Sequence, residues 1–229
     1  MSSRFMAAKL LKIRYICHVK MKKGIIEAPM EEKTVLLHTC CAPCSSAIIE
    51  AMMQNGITPV IYYCNPNIYP FEEYEIRKNE CTRYAESLGL EIVDDDYDHE
   101  SWLEAVKGLE GEPERGGRCL KCFKIRLLRT ARYAQSRGIK VITTTLASSR
   151  WKSLDQINEA GRWACSQISG MSLGAVGTGR PGVDVSPVMF WEHNWRKGGL
   201  QERRLQIINE YGFYNQLYCG CEFSMRKDV

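Results

Sequence analysis

Three tight cysteine knots, spread along most of the chain, constrain this sequence more than any other feature. They are Cys40-Cys41-Ala42-Pro43-Cys44, Cys119-Leu120-Lys121-Cys122 and Cys219-Gly220-Cys221. Cysteines this close make poor long-range staples, but two thiolates from one turn reach one ion or cluster. The total of 11 cysteines is odd, and the basic, charge-interrupted first residues do not read as a signal-peptide core. Both points argue against a disulfide framework. A lone CxxC is often a redox dithiol or half of a zinc site, and a lone CxC or CC pair is often accidental. Three knots together favour a redox metallocluster over structural zinc or dithiol chemistry. Zinc and cubane clusters each take four ligands. Seven clustered cysteines therefore leave three over, as bystanders or as part of a second metal centre. Cys64, Cys81 and Cys165 read as packed thiols, and Cys17 lies in a doubtful appendage.

If the knots share a metal, the fold must bring distant segments to one place, and the patterning offers a way. Short apolar runs at Thr34–His38, Pro59–Tyr63, Glu91–Val93 and Lys140–Thr145 predict strands; a last strand is expected at Val183–Val188. Helices are predicted over Ser45–Asn55, Phe71–Leu88, His99–Val106, Cys119–Ser136, Leu154–Cys165 and Gln201–Tyr211. Gly56, Gly89, Gly138 and Gly212 act as stops. Strands alternating with helices predict an α/β layer structure with a mostly parallel sheet, whose site lies beyond the carboxyl ends of the strands. The CCAPC knot, Asn65-Pro66-Asn67-Ile68 and Leu146-Ala147-Ser148-Ser149 follow the first, second and fourth strands, so three loops converge on one sheet edge. Residues 34–229 read as a single domain, with a Gly-rich loop near 170–182.

Residues 1–33 read as a basic extension. Lys and Arg dominate before Gly24, with no acid. A poorly ordered tail, or an upstream stretch left by a start misplaced ahead of Met21 or Met30, is preferred to a nucleic-acid-binding arm. Charged residues make up 25% of the chain and the net charge is +4, which permits a nucleic-acid partner without demanding one. No run of eighteen apolar residues is present, so no membrane-spanning helix is expected. No repeat period argues for a solenoid.

The segments LLHTCCAPCS (36–45), YCNPNIYPFEEYEIRKNE (63–80), YDHESWLEAV (97–106), GGRCLKCFKIRL (116–127), TTTLASS (143–149) and YCGCEFS (218–224) resemble, in order, the QueH-type epoxyqueuosine reductases. That resemblance implies a Rossmann-like sheet of the nucleotide-hydrolase (HUP) type. It further implies a cobalamin-independent oxidoreductase with a 4Fe-4S cluster and an adjacent mononuclear iron. The implied substrate is epoxyqueuosine at the wobble position of tRNA in the cytoplasm, reduced to queuosine with electrons from an external donor. The chain departs from the family pattern at Ser149-Arg150, at Tyr214-Asn215-Gln216 and in the Gly-rich segment.

Turning an epoxide into an alkene takes two electrons and two protons and releases water. Side chains do not supply low-potential electrons readily, so a metal cofactor must. Cys40, Cys41, Cys44, Cys119, Cys122, Cys219 and Cys221 are therefore the metal candidates. Neighbours in extended chain point opposite ways, so Cys40 and Cys41 both bind one centre only in a turn; the preferred alternative is that one faces the cluster and the other a second metal or the substrate. The helix start after Pro43 favours thiolate. Asp98 is the catalytic carboxylate candidate, with His38, Glu73 and Tyr74 as weaker proton donors. Asn65, Asn67 and Ser148 offer amides and a hydroxyl to the substrate, although Ser148 and Ser149 also suit a capping role. Arg118 and Arg196 are expected on phosphates. Around them lie two basic stretches, Arg115–Arg129 and Trp195–Arg204, the second with Trp191 nearby.

Overall fold

The computed structural model describes residues 26–172 and 187–225, with the side chains of 170–172 excepted. Five strands form one parallel sheet: β1 (Thr34–Thr39), β2 (Thr58–Tyr63), β3 (Ile92–Asp94), β4 (Val141–Thr144) and β5 (Met189–Phe190), in the order β3-β2-β1-β4-β5. The helices are α1 (Ala42–Gln54), α2 (Phe71–Leu88), α3 (His99–Ala105), α4 (Gly117–Ser136), α5 (Leu154–Ser172) and α6 (Leu200–Tyr211). Short 3-10 turns occupy Pro29–Glu31, Thr145–Ser148 and Glu222–Ser224.

The central strands carry no alternation because helices cover both faces. Val35–Leu37 of β1 and Val141–Thr144 of β4 are all buried, the pattern of a doubly covered parallel sheet. Leu37 stands beside Ile61 on one side and Thr143 on the other. Helix α5 seats tightly on the sheet edge through Gly161. A Cβ there would lie 2.3 Å from the Phe190 ring, so only the missing side chain allows this approach.

Strand order reverses between β1 and β4, because β2 and β3 extend the sheet one way and β4 and β5 the other. Such a reversal splays the two following loops apart and opens a crevice at their carboxyl ends. Cys40 is the first residue after β1, and Thr145 the first after β4.

Several sequence expectations shift at their edges. Helix α5 continues seven residues past Cys165, so Gly170 closes a helix and does not open a loop. Positions 173–182 of the Gly-rich stretch lie outside the described residues, as do positions 183–186 of the expected last strand. The described strand at that edge is Met189–Phe190, paired with β4. Residues 1–25 also lie outside. Ordered packing begins before Thr34: Ile26 N donates to Asn55 Oδ1 at 3.1 Å and Ala28 is buried in the core. Among the described residues no helix is long and apolar enough to cross a membrane.

Candidate metal centre at the strand-order switch

The chain bends at Cys40, and Cys41 takes an extended conformation (φ −173°, ψ 159°) as the N-cap of α1. Pro43 falls in the first turn, where a missing N–H costs nothing. The bend corrects the expectation that Cys40 and Cys41 point apart, since their sulfurs lie 3.9 Å from each other. With Cys44, one helical turn on, the three sulfurs fall mutually within 4.8 Å. Among the described residues no other group of three or more Cys, His, Asp or Glu is that close.

These thiols are coupled. Cys40 is held well below the usual thiol range because Cys41 and then Cys44 hydrogen-bond to its thiolate. Burial pushes Cys41 up, and the hydrogen bond with Cys40 pushes Cys44 up to about 12. Cys41 and Cys44 thus act as thiol donors toward the Cys40 sulfur. Donors surround the three sulfurs: Thr145 Oγ1 lies 3.4 Å from Cys40 Sγ, and Gln216 Nε2 lies 2.9 Å from Cys41 Sγ and 3.7 Å from Cys44 Sγ. Cys40 N donates to Thr145 Oγ1 at 3.2 Å, tying the two switch-point loops together. From α6, Arg204 Nε donates to Pro43 O at 3.0 Å and pins the start of the cysteine helix.

The other four knot cysteines form a second neighbourhood. Cys122 and Cys221 pack with Trp102 and Val106, with Cys219 and Phe223 at the margin. Cys119 Sγ accepts from Arg115 N at 3.3 Å. Burial raises Cys119, Cys122 and Cys221, the last to about 12. Their placement depends on long-range clamps. Arg77, buried beside Glu73 at 2.6 Å, donates to Tyr218 O at 3.2 Å and to Cys219 O at 3.3 Å. Gly220 has φ +103°, and a Cβ there would sit 2.8 Å from Ile68 Cγ1 and 3.0 Å from Arg77 Nη1.

Two cations join the neighbourhoods. Arg126, on α4 one turn after Cys122, is 2% exposed. It bonds Cys64 O (3.2 Å) and Asn65 Oδ1. Among the described residues no carboxylate pairs with it; burial opposes its charge, and Cys122, Cys40, Cys64 and Cys219 sustain it. Lys152 is similar: burial opposes the ammonium, while Cys219, Cys40 and Cys44 hold it up. An uncompensated buried cation is expensive, so Arg126 demands the negative charge that thiolates supply; Lys152 is half-buried and its ammonium is favoured by the same sulfurs. The sequence reading placed Arg126 in a basic stretch inside the GGRCLKCFKIRL segment without a role at the metal, and missed Lys152, which lies in no quoted segment.

The remaining candidates separate. Asn67 is 1% exposed, and among the described residues neither of its amide atoms has a partner, a costly state for a buried polar group unless a ligand satisfies it. Asn65 is spent internally: Nδ2 donates to Thr39 O at 2.9 Å while Oδ1 takes Arg126. Ser148 Oγ donates back to Thr145 O at 2.8 Å within its own turn, and the hydroxyl that accepts at the start of the following helix is that of Ser153, from Gln156 N at 3.3 Å. His38 is fully engaged between Thr144 Oγ1 (2.7 Å) and Cys64 O (3.1 Å), and burial lowers it to about 3, so it stays neutral. Glu73 is taken by Arg77 and Tyr214; Tyr74 donates to Asp94 at 2.6 Å. Asp98 is exposed and caps α3, accepting from Ser101 N at 3.2 Å. It lines a cavity of about 290 Å³ with Pro66, Trp102 and Arg129.

The expected phosphate contacts face inward. Arg118 is 2% exposed and its Nη1 holds the carbonyls of Leu109, Glu110 and Glu112. Arg196 Nη2 donates to Lys152 O at 2.8 Å. Arg203 is buried between Glu50 and Glu210, and Trp191 and Trp195 are buried too. Packing turns much of both stretches into scaffold, while Arg115, Lys121 and Lys197 stay exposed.

The family model described as epoxyqueuosine reductase QueH matches residues 35–175 and 178–227. An epoxyqueuosine reductase QueH of Histophilus somni is 42% identical over 201 residues, covering 88% of this chain and 76% of that protein. The Haemophilus influenzae protein of the same name is 41% identical over 215 residues, covering 94% and 81%. Among solved structures, a U34-tRNA thiolase from Methanococcus maripaludis with its 4Fe-4S cluster aligns with TM-score 0.47 and 9% identity, over 96% of this chain and 67% of that one; so loose a likeness carries no argument. The family match runs through all three cysteine knots and the switch-point loops, and the chain belongs to the QueH family of epoxyqueuosine reductases.

Proposed function

We propose that this chain is a cytoplasmic, cobalamin-independent oxidoreductase that removes the epoxide oxygen of epoxyqueuosine at the tRNA wobble position and leaves the alkene of queuosine. The observation that carries the reading is the trio of coupled sulfurs at the β1/β4 switch, with a buried, unpartnered amide on the neighbouring β2 loop. The donor set fits an iron–sulfur cluster. Three thiols lie within 4.8 Å of one another, Cys122 and Cys219 act on Arg126 and Cys219 on Lys152 as well, and those cations favour anionic sulfur beside them. When bound, a 4Fe-4S cluster supplies electrons and an adjacent mononuclear iron supplies a Lewis acid.

The seven knot cysteines are the residues that would hold these groups. Thr145 Oγ1 and Gln216 Nε2 orient the Cys40 and Cys41 sulfurs. Arg126 and Lys152 balance their charge. Asn67 presents one amide donor and one acceptor to the polar edge of the nucleoside. Asn65 acts behind it, fixing the Thr39 carbonyl next to the first cysteine. The buried loops keep water from the reacting centre. An external donor completes the balance: epoxide, two electrons and two protons give alkene and water.

The test is to incubate anaerobically reconstituted protein and reductant with tRNA carrying the epoxide, then digest to nucleosides and weigh the product. A nucleoside lighter by one oxygen is expected. Unchanged epoxide in the presence of a fully loaded, reduced protein would refute the assignment.

A further inference from the structure

We propose that the loop Ser149–Ser153 is a rigid stacking platform on which Trp151, backed by Arg150, receives an unpaired RNA base next to the target nucleotide. The proposal rests on the tRNA reading above and deepens it. Most of the basic and aromatic residues that a sequence reading assigns to RNA are withdrawn by the fold. Arg118, Arg126 and Arg203 are buried, Arg129 is bound to Asp95 at 2.6 Å, Lys124 to Glu159 at 2.8 Å, and both tryptophans of the C-terminal stretch are inside. Trp151 goes the other way. Its side chain is 65% exposed, the Arg150 guanidinium lies 5.0 Å from its ring centroid, and Arg150 and Arg115 are both exposed.

Exposure alone would say little. What sets this loop apart is how firmly its backbone is held. Three consecutive carbonyls accept from arginine side chains. Arg115 Nη2 reaches Arg150 O at 3.0 Å, Arg115 Nε reaches Trp151 O at 3.0 Å, and Arg196 Nη2 reaches Lys152 O at 2.8 Å. Trp151 N donates to Ser149 Oγ at 3.3 Å, and Gln156 Nε2 holds Arg115 through its carbonyl at 2.8 Å. An indole on a clasped loop loses little entropy when a base stacks on it, whereas an indole on a floppy loop would lose much.

The position fits the chemistry. Lys152, the residue after Trp151, bears the ammonium that interacts with Cys40, Cys44 and Cys219. Arg115, which clasps the loop, also donates from its backbone to Cys119 Sγ. The platform therefore borders both cysteine neighbourhoods. Recognition of single-stranded RNA asks for a π-face for the base and cations for the flanking phosphates, and this rim offers both.

The experiment uses a fluorescein-labelled anticodon stem-loop RNA, read by anisotropy against the full-length protein over a range of salt concentrations. Loss of one stacked base is worth about 1–3 kcal/mol. Trp151→Ala should therefore weaken binding about fivefold to a hundredfold, with the melting temperature and metal content of the wild type. Trp151→Phe should restore most of the affinity, because a ring remains. Arg150→Ala should weaken binding and lower the slope of log affinity against log salt by about one, the mark of a lost phosphate contact. Equal binding by Trp151→Ala and wild type would overturn the platform while leaving the tRNA reading intact. Lost turnover with intact hairpin binding would assign the indole to a protein electron donor and also overturn it. A wild-type protein that binds no hairpin at all would remove the tRNA reading and the platform together.

Discussion

The two cysteine neighbourhoods are built by different means. Cys40, Cys41 and Cys44 are placed by one bend, one helix start and the end of a buried strand, so three of five consecutive residues converge with help from a few neighbours. Cys219 and Cys221 are placed by contacts with residues about 140 positions away: Arg77 grips the carbonyls of Tyr218 and Cys219, and Ile68 and Arg77 leave Gly220 no room for a side chain. A site made locally tolerates damage elsewhere, and a site made by clamps fails with its clamps.

The largest effect should come from the local trio itself. Cys41→Ala removes one of three sulfurs that lie within 4.8 Å of one another. Anaerobic reconstitution followed by iron and sulfide analysis should show the metal lost and turnover undetectable. Full retention of both would make the trio a bystander.

Arg77→Met should come next. Breaking a buried ion pair and leaving Glu73 uncompensated costs about 3–5 kcal/mol, readable by denaturant melts. The sharper readout is alkylation followed by mass spectrometry of the native protein. Cys219 and Cys221 should react much faster than in the wild type while Cys41 stays protected. Uniform acceleration of all three would erase the distinction between the neighbourhoods.

A Gly220→Ala change probes the same clamp more gently. The strained φ of +103° and the contact with Ile68 should cost about 1–3 kcal/mol, with reduced metal content and an unchanged α1 region. A melt within error of wild type would show that the CGC turn has slack. Smallest of all is Asp98. Asp98→Ala should cost about 1 kcal/mol by loss of the α3 cap, and Asp98→Asn should keep the cap. If Asp98 also delivers a proton, Asp98→Asn lowers turnover with metal content intact; unchanged turnover confines it to capping.

The same contrast explains what could be read in the sequence. The sheet, the helix starts and the convergence of three loops were legible because they follow from local period and from the rule that sites lie beyond parallel strands. The trio was legible as a motif, although its geometry was not: extended-chain logic set Cys40 and Cys41 apart, and a bend brought their sulfurs to 3.9 Å. The basic surface was the poorest reading, because charge is written in the sequence but its partner is not. Arg203 meets Glu50, 153 residues earlier, and Arg118 meets carbonyls of its own preceding loop. Lys152 carried no motif and Arg126 sat in one without a visible role; only the assembled site shows that each interacts with sulfurs from more than one knot.

The most direct test of the central claim is iron-edge anomalous scattering from crystals of anaerobically reconstituted protein. The account predicts iron density in contact with the sulfurs of Cys40, Cys41 and Cys44, at the crevice between β1 and β4 and beside Arg126 and Lys152. Zinc in that crevice, or iron bound elsewhere with those three sulfurs free, would contradict it.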